Sequence, residues 1–339
     1  MQHPVVRSIR KRTEQHNVNN VTRTRAYLDF YRRHPEIHWA LLAHMVSRNG
    51  GWSMTDVRGS LLRPILSEQK ARALFHMFER ANWLIFHDAY PQLLLYSESL
   101  HQGKALFHLL PYFGVSRFMV PVWHNFWKSN DSGLLTLALI INEQHFIEGR
   151  VVQNPHYKRA VLQTAVFKIQ TAFDFNQVVF PVAGEPSHPR LIGRTMHNFA
   201  NIAHRIKTGR LLYHMLFHPK FHEYIRAWVN EHPHTGSRAD YWPERFTADA
   251  STLHNKVYSP YLCDAWEKVE HHPTGYDDWY DKFSSLPVDE AIDAPSERRF
   301  YVTDVYERSY RRLHFFSLMA RTTQRVIQKL NDKMKTRPG

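Results

Sequence analysis

Three histidines near the N-terminus have a spacing that could suit a metal ion. His34, His38 and His44 lie in HPEIHWALLAHMVSRNGGW, residues 34–52, where apolar residues recur with helical periodicity. At about 100° per residue, His34 and His38 share one helical face, while His44 lies about 120° from His38. The three therefore cannot bind one ion, and the shared face is also the apolar one. We predict neutral core histidines and no metal site, with His38 as a catalytic candidate if a buried acid is its partner.

Glu143 is the second candidate catalytic group. It lies in LLTLALIINEQHFIEGRVV, residues 134–152, along a stripe of apolar side chains. A carboxylate that faces a core must be paired or protonated, because burial penalises its charged form. Arg150 lies two turns further on along the same stripe and could pair with it. Two interpretations stay open: an acid or base with a shifted pKa, or a structural ion pair.

Cationic and polar side chains in residues 188–210 indicate a possible anion site. The segment HPRLIGRTMHNFANIAHRIKTGR has the pattern of a helix whose apolar residues fall on one arc. The opposite arc suits a phosphate or carboxylate, because it offers guanidinium, imidazole and amide donors. Together with Arg150, the predicted anion-binding residues are Arg194, His197, Asn201 and His204. The alternative is an ordinary solvated helix face.

Positive charge is concentrated at the two ends of the 339-residue chain, whose formal net charge is +13. Residues 1–33 carry eight Lys or Arg against two acids, and residues 308–339 carry nine against one, giving net charges of +6 and +8. Residues 264–307 carry twelve acids against four bases, a net charge of −8. Basic ends could bind nucleic acid or an anionic membrane surface. The alternative is that they pack on the protein's own acidic segment.

Most segments of the sequence, including those that carry the candidate residues, have helical patterns. Hydrophobic residues make up 43 % of the chain and only 13 glycines occur, which favours a helical core over a sheet with tight turns. Thr22 is predicted to cap a helix that ends at Arg33, and Asn49-Gly50-Gly51 to end the next one, which starts at Pro35. Further helices are predicted after Ser67 and over residues 83–102, 131–152, 155–174, 188–208, 249–271 and 300–335. Residues 175–184 are the one segment expected to be extended.

The predicted fold is all-α, a compact multi-helix array of about a dozen helices with little or no sheet. A proline-rich stretch at residues 181–189 is the candidate boundary. It separates an N-terminal helical part, residues 1–180 with the buried 131–152 helix, from a C-terminal helical part, residues 188–339. We expect one shared core rather than two independent domains.

The compartment follows from what the sequence contains. The single cysteine, Cys263, excludes an internal disulfide and a cysteine-based zinc site. The N-terminal residues contain no apolar signal-peptide core, and no uncharged stretch reaches the ~20 residues of a transmembrane helix. We therefore expect a cytoplasmic protein without a transmembrane segment.

Two stretches carry a family resemblance. They are NVTRTRAYLDFYRRHPEIHWALLAHMVSRNGGWSMTDVRG, which ends at Gly59, and NEQHFIEGRVV, residues 142–152. In both, and over most of its length, the chain resembles the YppC-like family of Bacillus-type proteins, a domain of unknown function. The resemblance implies a cytosolic bacterial protein of similar length and supplies no catalytic or cofactor-binding residues.

Three functions stay open, because the chain contains no nucleotide-binding glycine loop and no nucleophile elbow. The leading hypothesis is a soluble helical binding protein that engages nucleic acid or membrane lipid through its basic N- and C-terminal segments. The second is a helical hydrolase-type enzyme with a His/Glu/Arg pocket for a phosphate-containing substrate. The third is a protein–protein scaffold. The sequence identifies no cofactor.

Overall fold

Helices make up most of the chain, which confirms the all-α prediction. The computed structural model describes residues 3–163, 177–185, 188–196, 198–252, 256–273, 275, 278–282 and 297–335. The α-helices are α1 Pro4–His16, α2 Asn20–Arg33, α3 His38–Asp56, α4 Glu68–Gln102, α5 Met119–Ser129, α6 Ser132–Ile147, α7 Pro155–Tyr157, α8 Ile202–Leu216, α9 His222–Glu231, α10 Leu262–Ala265 and α11 Thr303–Lys335. A 3-10 helix spans Phe107–Phe113, and π-helical turns span Glu148–Val152 and Lys158–Leu162. Shorter 3-10 turns span Arg238–Asp240, Ala250–Thr252, Trp279–Lys282 and Glu297–Arg299.

Residues 188–208 were predicted to form one helix, and the structure corrects this. Strand β2, His188–Thr195, pairs antiparallel with β1, Gln177–Glu185. A Cβ on Gly193 would lie 2.1 Å from the carbonyl oxygen of Val178, so the missing side chain permits this close pairing. The helical pattern in the sequence belongs only to α8, which begins after Asn201.

The helix predicted over residues 249–271 is also wrong for most of its length. Among the residues described there, which exclude 253–255, only Ala250–Thr252 and α10 are helical. Val257–Tyr258 forms β4, which pairs parallel with β3, Phe246–Thr247. The backbone donates instead to distant carbonyls, for example from the Ser259 amide to Thr247 at 2.9 Å. These long-range bonds satisfy the same groups that a helix would use.

Gly50 and Gly51 do not end a helix, contrary to the prediction, because α3 continues through them to Asp56. A Cβ on Gly51 would lie 2.5 Å from Oδ1 of Asn20 and 2.6 Å from the ring of His234. Gly51 therefore lets α2 and the His234 segment approach the middle of α3. Gly51 marks close packing here, and the glycine pair is not a helix stop.

Gly51→Ala should destabilise the protein, whereas Gly50→Ala should be neutral or slightly stabilising. Alanine favours a helix over glycine by about 1 kcal/mol at either position. A Cβ at Gly50 would make an ordinary contact of 3.6 Å with Asn82, but one at Gly51 would overlap Asn20 and His234. We expect Gly51→Ala to lower the free energy of unfolding by about 1–3 kcal/mol, measured by urea unfolding. Equal effects of the two substitutions would contradict this assignment.

The helix starts differ slightly from the predicted ones. Thr22 does not cap α2 alone: the Asn19 side chain is the cap, and Thr22 completes a reciprocal capping box with it. The next helix, α3, begins at His38 and not at Pro35. Ser67 caps α4 as predicted, since its side chain accepts a hydrogen bond from the Lys70 amide.

The core centres on α6, which contacts α3, α4, α5 and α8. Its apolar residues are buried on nearly every side, in keeping with the continuous apolar run of its sequence. Buried hydrophobic side chains from Val6 to Leu313 form one contiguous cluster. The division into parts 1–180 and 188–339 stays a prediction. None of the described helices is long and apolar enough to span a bilayer.

Candidate functional site

The three N-terminal histidines lie in different places and do not face one another. His34 follows α2 and hydrogen-bonds to Ser97 Oγ at 3.0 Å through Nε2. His38 opens α3, and its Nδ1 lies 2.9 Å from the Tyr213 hydroxyl. His44 is the fully buried one, and its Nδ1 donates to the Thr24 carbonyl. Among the described residues, no group of three or more His, Cys, Asp or Glu side chains could hold a metal ion.

His38 is a neutral residue in an aromatic setting. Its ring stacks on Phe217 at a centroid distance of 4.0 Å. Burial, together with the nearby His222, lowers the pKa of His38 to about 4, while Glu36 opposes the shift. Its hydrogen-bond partner is the Tyr213 hydroxyl, so the buried acid that a catalytic role for His38 would need is not its direct partner.

Glu143 lies on α6 and interacts with amide and indole groups. Burial, together with the charge of Asp88, raises the pKa of its carboxyl to about 8, while Gln144 and Trp39 oppose the shift. The Gln144 amide donates to Oε1 of Glu143 at 3.1 Å. The carboxyl is therefore protonated near neutral pH without the arginine partner considered above.

Arg150 lies in the π-helical turn that follows α6. It donates to the Phe146 carbonyl at 3.0 Å, and its guanidinium lies 4.1 Å from the Phe146 ring centroid. It also lines an open cavity of about 390 Å³ together with Arg10, His87 and an acid, Glu14. A role for Arg150 in anion binding stays a prediction.

The other predicted anion-binding residues do not share one helix face. Arg194 lies on β2, which removes the helical geometry that grouped it with the rest. Asn201 caps α8, and its side chain accepts from the His204 amide at 3.1 Å. His197 lies outside the described residues. The anion-binding role of these residues stays a prediction, but they do not lie along one helix face.

A basic pocket opens between the loop that follows α3 and the C-terminal helix α11. Its described lining contains three arginines and no acidic residue. We call it the arginine pocket, and its lining is Arg58, Ser60, Arg63, Pro64, Tyr258, Arg321 and Gln324. Its volume of about 350 Å³ falls within the ~300–1,000 Å³ typical of small-molecule sites.

Local backbone geometry holds the loop side of the arginine pocket. The Ser60 amide donates to the Tyr258 carbonyl at 2.9 Å. A Cβ on Gly59 would lie 2.8 Å from the same carbonyl oxygen, so glycine is needed for this close approach. The loop is therefore attached to β4, and Arg58 and Arg63 lie on either side of the attachment point.

Side chains of α11 close the pocket from the other side. Ser317 Oγ donates to the Ser60 carbonyl at 3.1 Å, and Arg321 donates to the same oxygen. The Gln324 amide donates to the Pro64 carbonyl at 3.1 Å. Three successive turns of α11 thus bind the loop and bring Arg321 beside Arg58 and Arg63.

The charges in the arginine pocket are only partly compensated. Arg58 pairs with Glu68 at 2.5 Å and lies 4.2 Å from the Trp266 ring centroid, which fixes its guanidinium. Arg63 and Arg321 are exposed, and within the described part of the chain no acid forms an ion pair with either. Two guanidinium groups with uncompensated charge suit a phosphate, which can accept paired hydrogen bonds from each.

Comparison with known proteins supplies a family but no activity. The family model described as "Protein of unknown function (DUF2515)" matches residues 15–301. The chain belongs to this family. A Bacillus subtilis (strain 168) relative, "Uncharacterized protein YppC", is 40% identical over 307 residues, which cover 90% of this chain and 92% of the relative. No solved structure matches the chain.

The DUF2515 match confirms the family predicted from the two sequence stretches. It includes Arg58 and Arg63 and ends two residues before α11, so Arg321 lies beyond it. Sequence reasoning missed the arginine pocket, because more than 250 residues separate Arg63 from Arg321. The one indication in the sequence was the positive charge of residues 308–339. It identified the segment that forms α11 but not the loop against which α11 packs.

Proposed function

We propose that the protein binds a phosphate-bearing anionic partner through the arginine pocket and the basic C-terminal helix. The observation that carries this proposal is the meeting of Arg63 and Arg321, neither in an ion pair with a described acid, beside Arg58 in one pocket. Like charges rarely converge without a counter-charge, since their repulsion must be offset by the fold or by a ligand. A cytoplasmic location is part of the same proposal.

Part of the N-terminal positive charge is neutralised by ion pairs within the fold. Arg25 and Arg32 pair with Asp29 within α2, and Arg23 pairs with the buried Glu79. The exposed arginines of α11 have no such ion pairs among the described residues; they are Arg308, Arg311, Arg312, Arg321 and Arg325. Nor does any described acid of 264–307 pair with a described basic residue of either end.

Arg63→Gln and Arg321→Gln should each weaken binding of inorganic pyrophosphate about tenfold, because each removes a charge-assisted hydrogen bond to the phosphate. The double variant should show no measurable binding. Isothermal titration calorimetry of the full chain at low ionic strength measures this, since added salt screens exposed charges. Both side chains are exposed, so circular dichroism should show an unchanged fold.

Arg7→Gln is the matched control. It removes the same charge from an exposed position on α1, away from the arginine pocket. Pyrophosphate affinity should then stay within about twofold of the unsubstituted protein, because only the screened long-range field changes. If all three substitutions weaken binding equally, binding follows net charge and the pocket has no specific role.

A further inference from the structure

The C-terminal helix α11 exposes a broad apolar face. Its exposed large hydrophobic side chains are Phe315, Phe316, Leu318, Met319, Val326 and Ile327, each between 47% and 58% exposed. At about 100° per residue they cover an arc of about 180°. The protein-facing side of α11 lies opposite and carries the buried Leu313 and Ser317. Single exposed apolar residues are ordinary, but several on one helix face, here interrupted by Thr322 and Thr323, mark an interaction surface.

Positive charge accompanies this apolar face. Arg308, Arg311, Arg312 and Arg325 are exposed on the same helix, and residues 308–339 carry a net charge of +8. At about 100° per residue, Arg325 lies at one border of the apolar face, while Arg308, Arg311 and Arg312 lie on the same side of the helix, N-terminal to that face. A helix that combines apolar and arginine side chains on its exposed side is typical of segments that lie in the headgroup region of an anionic bilayer. Apolar side chains enter the acyl boundary there while arginines bind lipid phosphates.

The charge also decides against two other occupants. A second copy of the chain would bring two strongly positive faces together, and their repulsion opposes association. Nucleic acid would satisfy the arginines, but phosphate contacts give no reason for a face of exposed Phe, Leu, Met, Val and Ile side chains. An anionic lipid surface satisfies both features at once.

The arginine pocket lies at one edge of the apolar face. Arg321, which lines the pocket, and Leu318, which belongs to the face, are separated by about 60° around α11. The helix is held in this orientation by Ser317 and Gln324, which donate to the loop at Ser60 and Pro64. A lipid phosphate in the pocket would therefore sit beside apolar side chains that enter the membrane.

We propose that α11 docks on an anionic lipid bilayer, with its apolar face in the headgroup region and a lipid phosphate in the arginine pocket. This rests on the proposed function, because it names the source of the phosphate that the pocket binds. The shared chemistry is a phosphate group, and free pyrophosphate and a lipid headgroup are separate arms of the test.

The test uses sedimentation of the full chain with vesicles of phosphatidylglycerol, and with vesicles of phosphatidylcholine alone. We expect sedimentation with the anionic vesicles only. Leu318→Ser and Phe315→Ser should each weaken vesicle binding about tenfold, since each removes apolar surface from the bilayer contact. Both should leave pyrophosphate binding unchanged. Leu100→Ser is the matched control, because Leu100 is 44% exposed on α4, away from this face.

Each result has a defined meaning. Loss of vesicle binding in Leu318→Ser and Phe315→Ser but not in Leu100→Ser supports docking, as does joint loss of vesicle and pyrophosphate binding in Arg63→Gln/Arg321→Gln. Docking is overturned if the serine variants bind vesicles normally, or if neutral vesicles bind equally well. It is also overturned if a DNA or RNA oligonucleotide displaces the vesicles, or if the apolar face proves to be a dimer interface in sedimentation velocity. If neither Arg63→Gln nor Arg321→Gln weakens pyrophosphate binding, the proposed function itself fails.

Discussion

Arg23→Met should lower the free energy of unfolding by about 3–5 kcal/mol, because it leaves a buried carboxylate without its partner. Nη2 of Arg23 on α2 lies 2.6 Å from Oε2 of Glu79 on α4, and the two side chains are only 1% and 3% exposed. Burial raises the pKa of Glu79, while Arg23 opposes that rise. Methionine keeps most of the side-chain volume, so the loss comes from the ion pair and from the hydrogen bond that Arg23 donates to Oδ1 of Asn17. Guanidinium unfolding at pH 7 measures it.

Arg25→Met is the control for this pair. Arg25 lies two residues further along α2 and pairs with Asp29 at 3.7 Å, with side chains 80% and 45% exposed. Exposed ion pairs contribute ~0–1 kcal/mol, so Arg25→Met should change stability little. In the Arg23→Met background, Glu79→Leu should restore part of the lost free energy of unfolding. Removing both charges destabilises the fold less than leaving one buried charge unpaired. Similar losses from Arg23→Met and Arg25→Met would contradict the assignment.

The long helices were predictable because capping residues and apolar patterns in the sequence both indicate a helix there. The Ser67 cap marks the start of α4, and the apolar run of residues 134–141 marks α6. Predictions failed where distant segments decide the local structure. Residues 188–195 have a partly helical pattern, yet pairing with β1 makes them a strand. A single sequence cannot show such a partner.

The candidate site was harder to predict for the same reason. The charge of residues 308–339 identified a basic segment, and that segment is the helix that closes the arginine pocket. Its loop side could not be predicted, because Arg58 and Arg63 lie in a stretch with no unusual charge. Conversely, Arg194 and His204 were grouped by an assumed helix that does not extend over both. The spacing of residues in the sequence predicts which side chains lie together only when one helix or strand contains all of them.

Asp88 is the buried acid for which we expect the second large effect. It is 1% exposed and lies at the centre of α4. Its Oδ2 accepts hydrogen bonds from Gln92 at 3.0 Å and Asn142 at 2.5 Å. Its Oδ1 has no hydrogen-bond partner among the described residues. Burial raises the pKa of Asp88 to about 7, while the bonds to Asn142 and Gln92 and the charge of Arg150 oppose the shift.

Because its pKa is raised, Asp88 destabilises the folded protein at high pH. Between about pH 4 and pH 7 the unfolded chain has released this proton while the folded protein keeps it, so stability falls as pH rises through that window. Raising the pKa of Asp88 from its ordinary value to about 7 corresponds to about 4 kcal/mol over the whole window. Asp88→Asn removes the titration, and its amide oxygen can still accept from Gln92 and Asn142.

Asp88→Asn should therefore gain stability relative to the unsubstituted protein as pH rises from 5 to 8, by about 2–3 kcal/mol. At pH 5 the variant should be equal or slightly less stable, because its amide N–H lies where Oδ1 has no partner. Only the change with pH is diagnostic, so urea unfolding is measured at both values. Asp264→Asn, at an exposed position, should show no such change. A constant difference between Asp88→Asn and the unsubstituted protein would mean that Asp88 is already ionised in the fold, stabilised by Arg150 and its two amide donors.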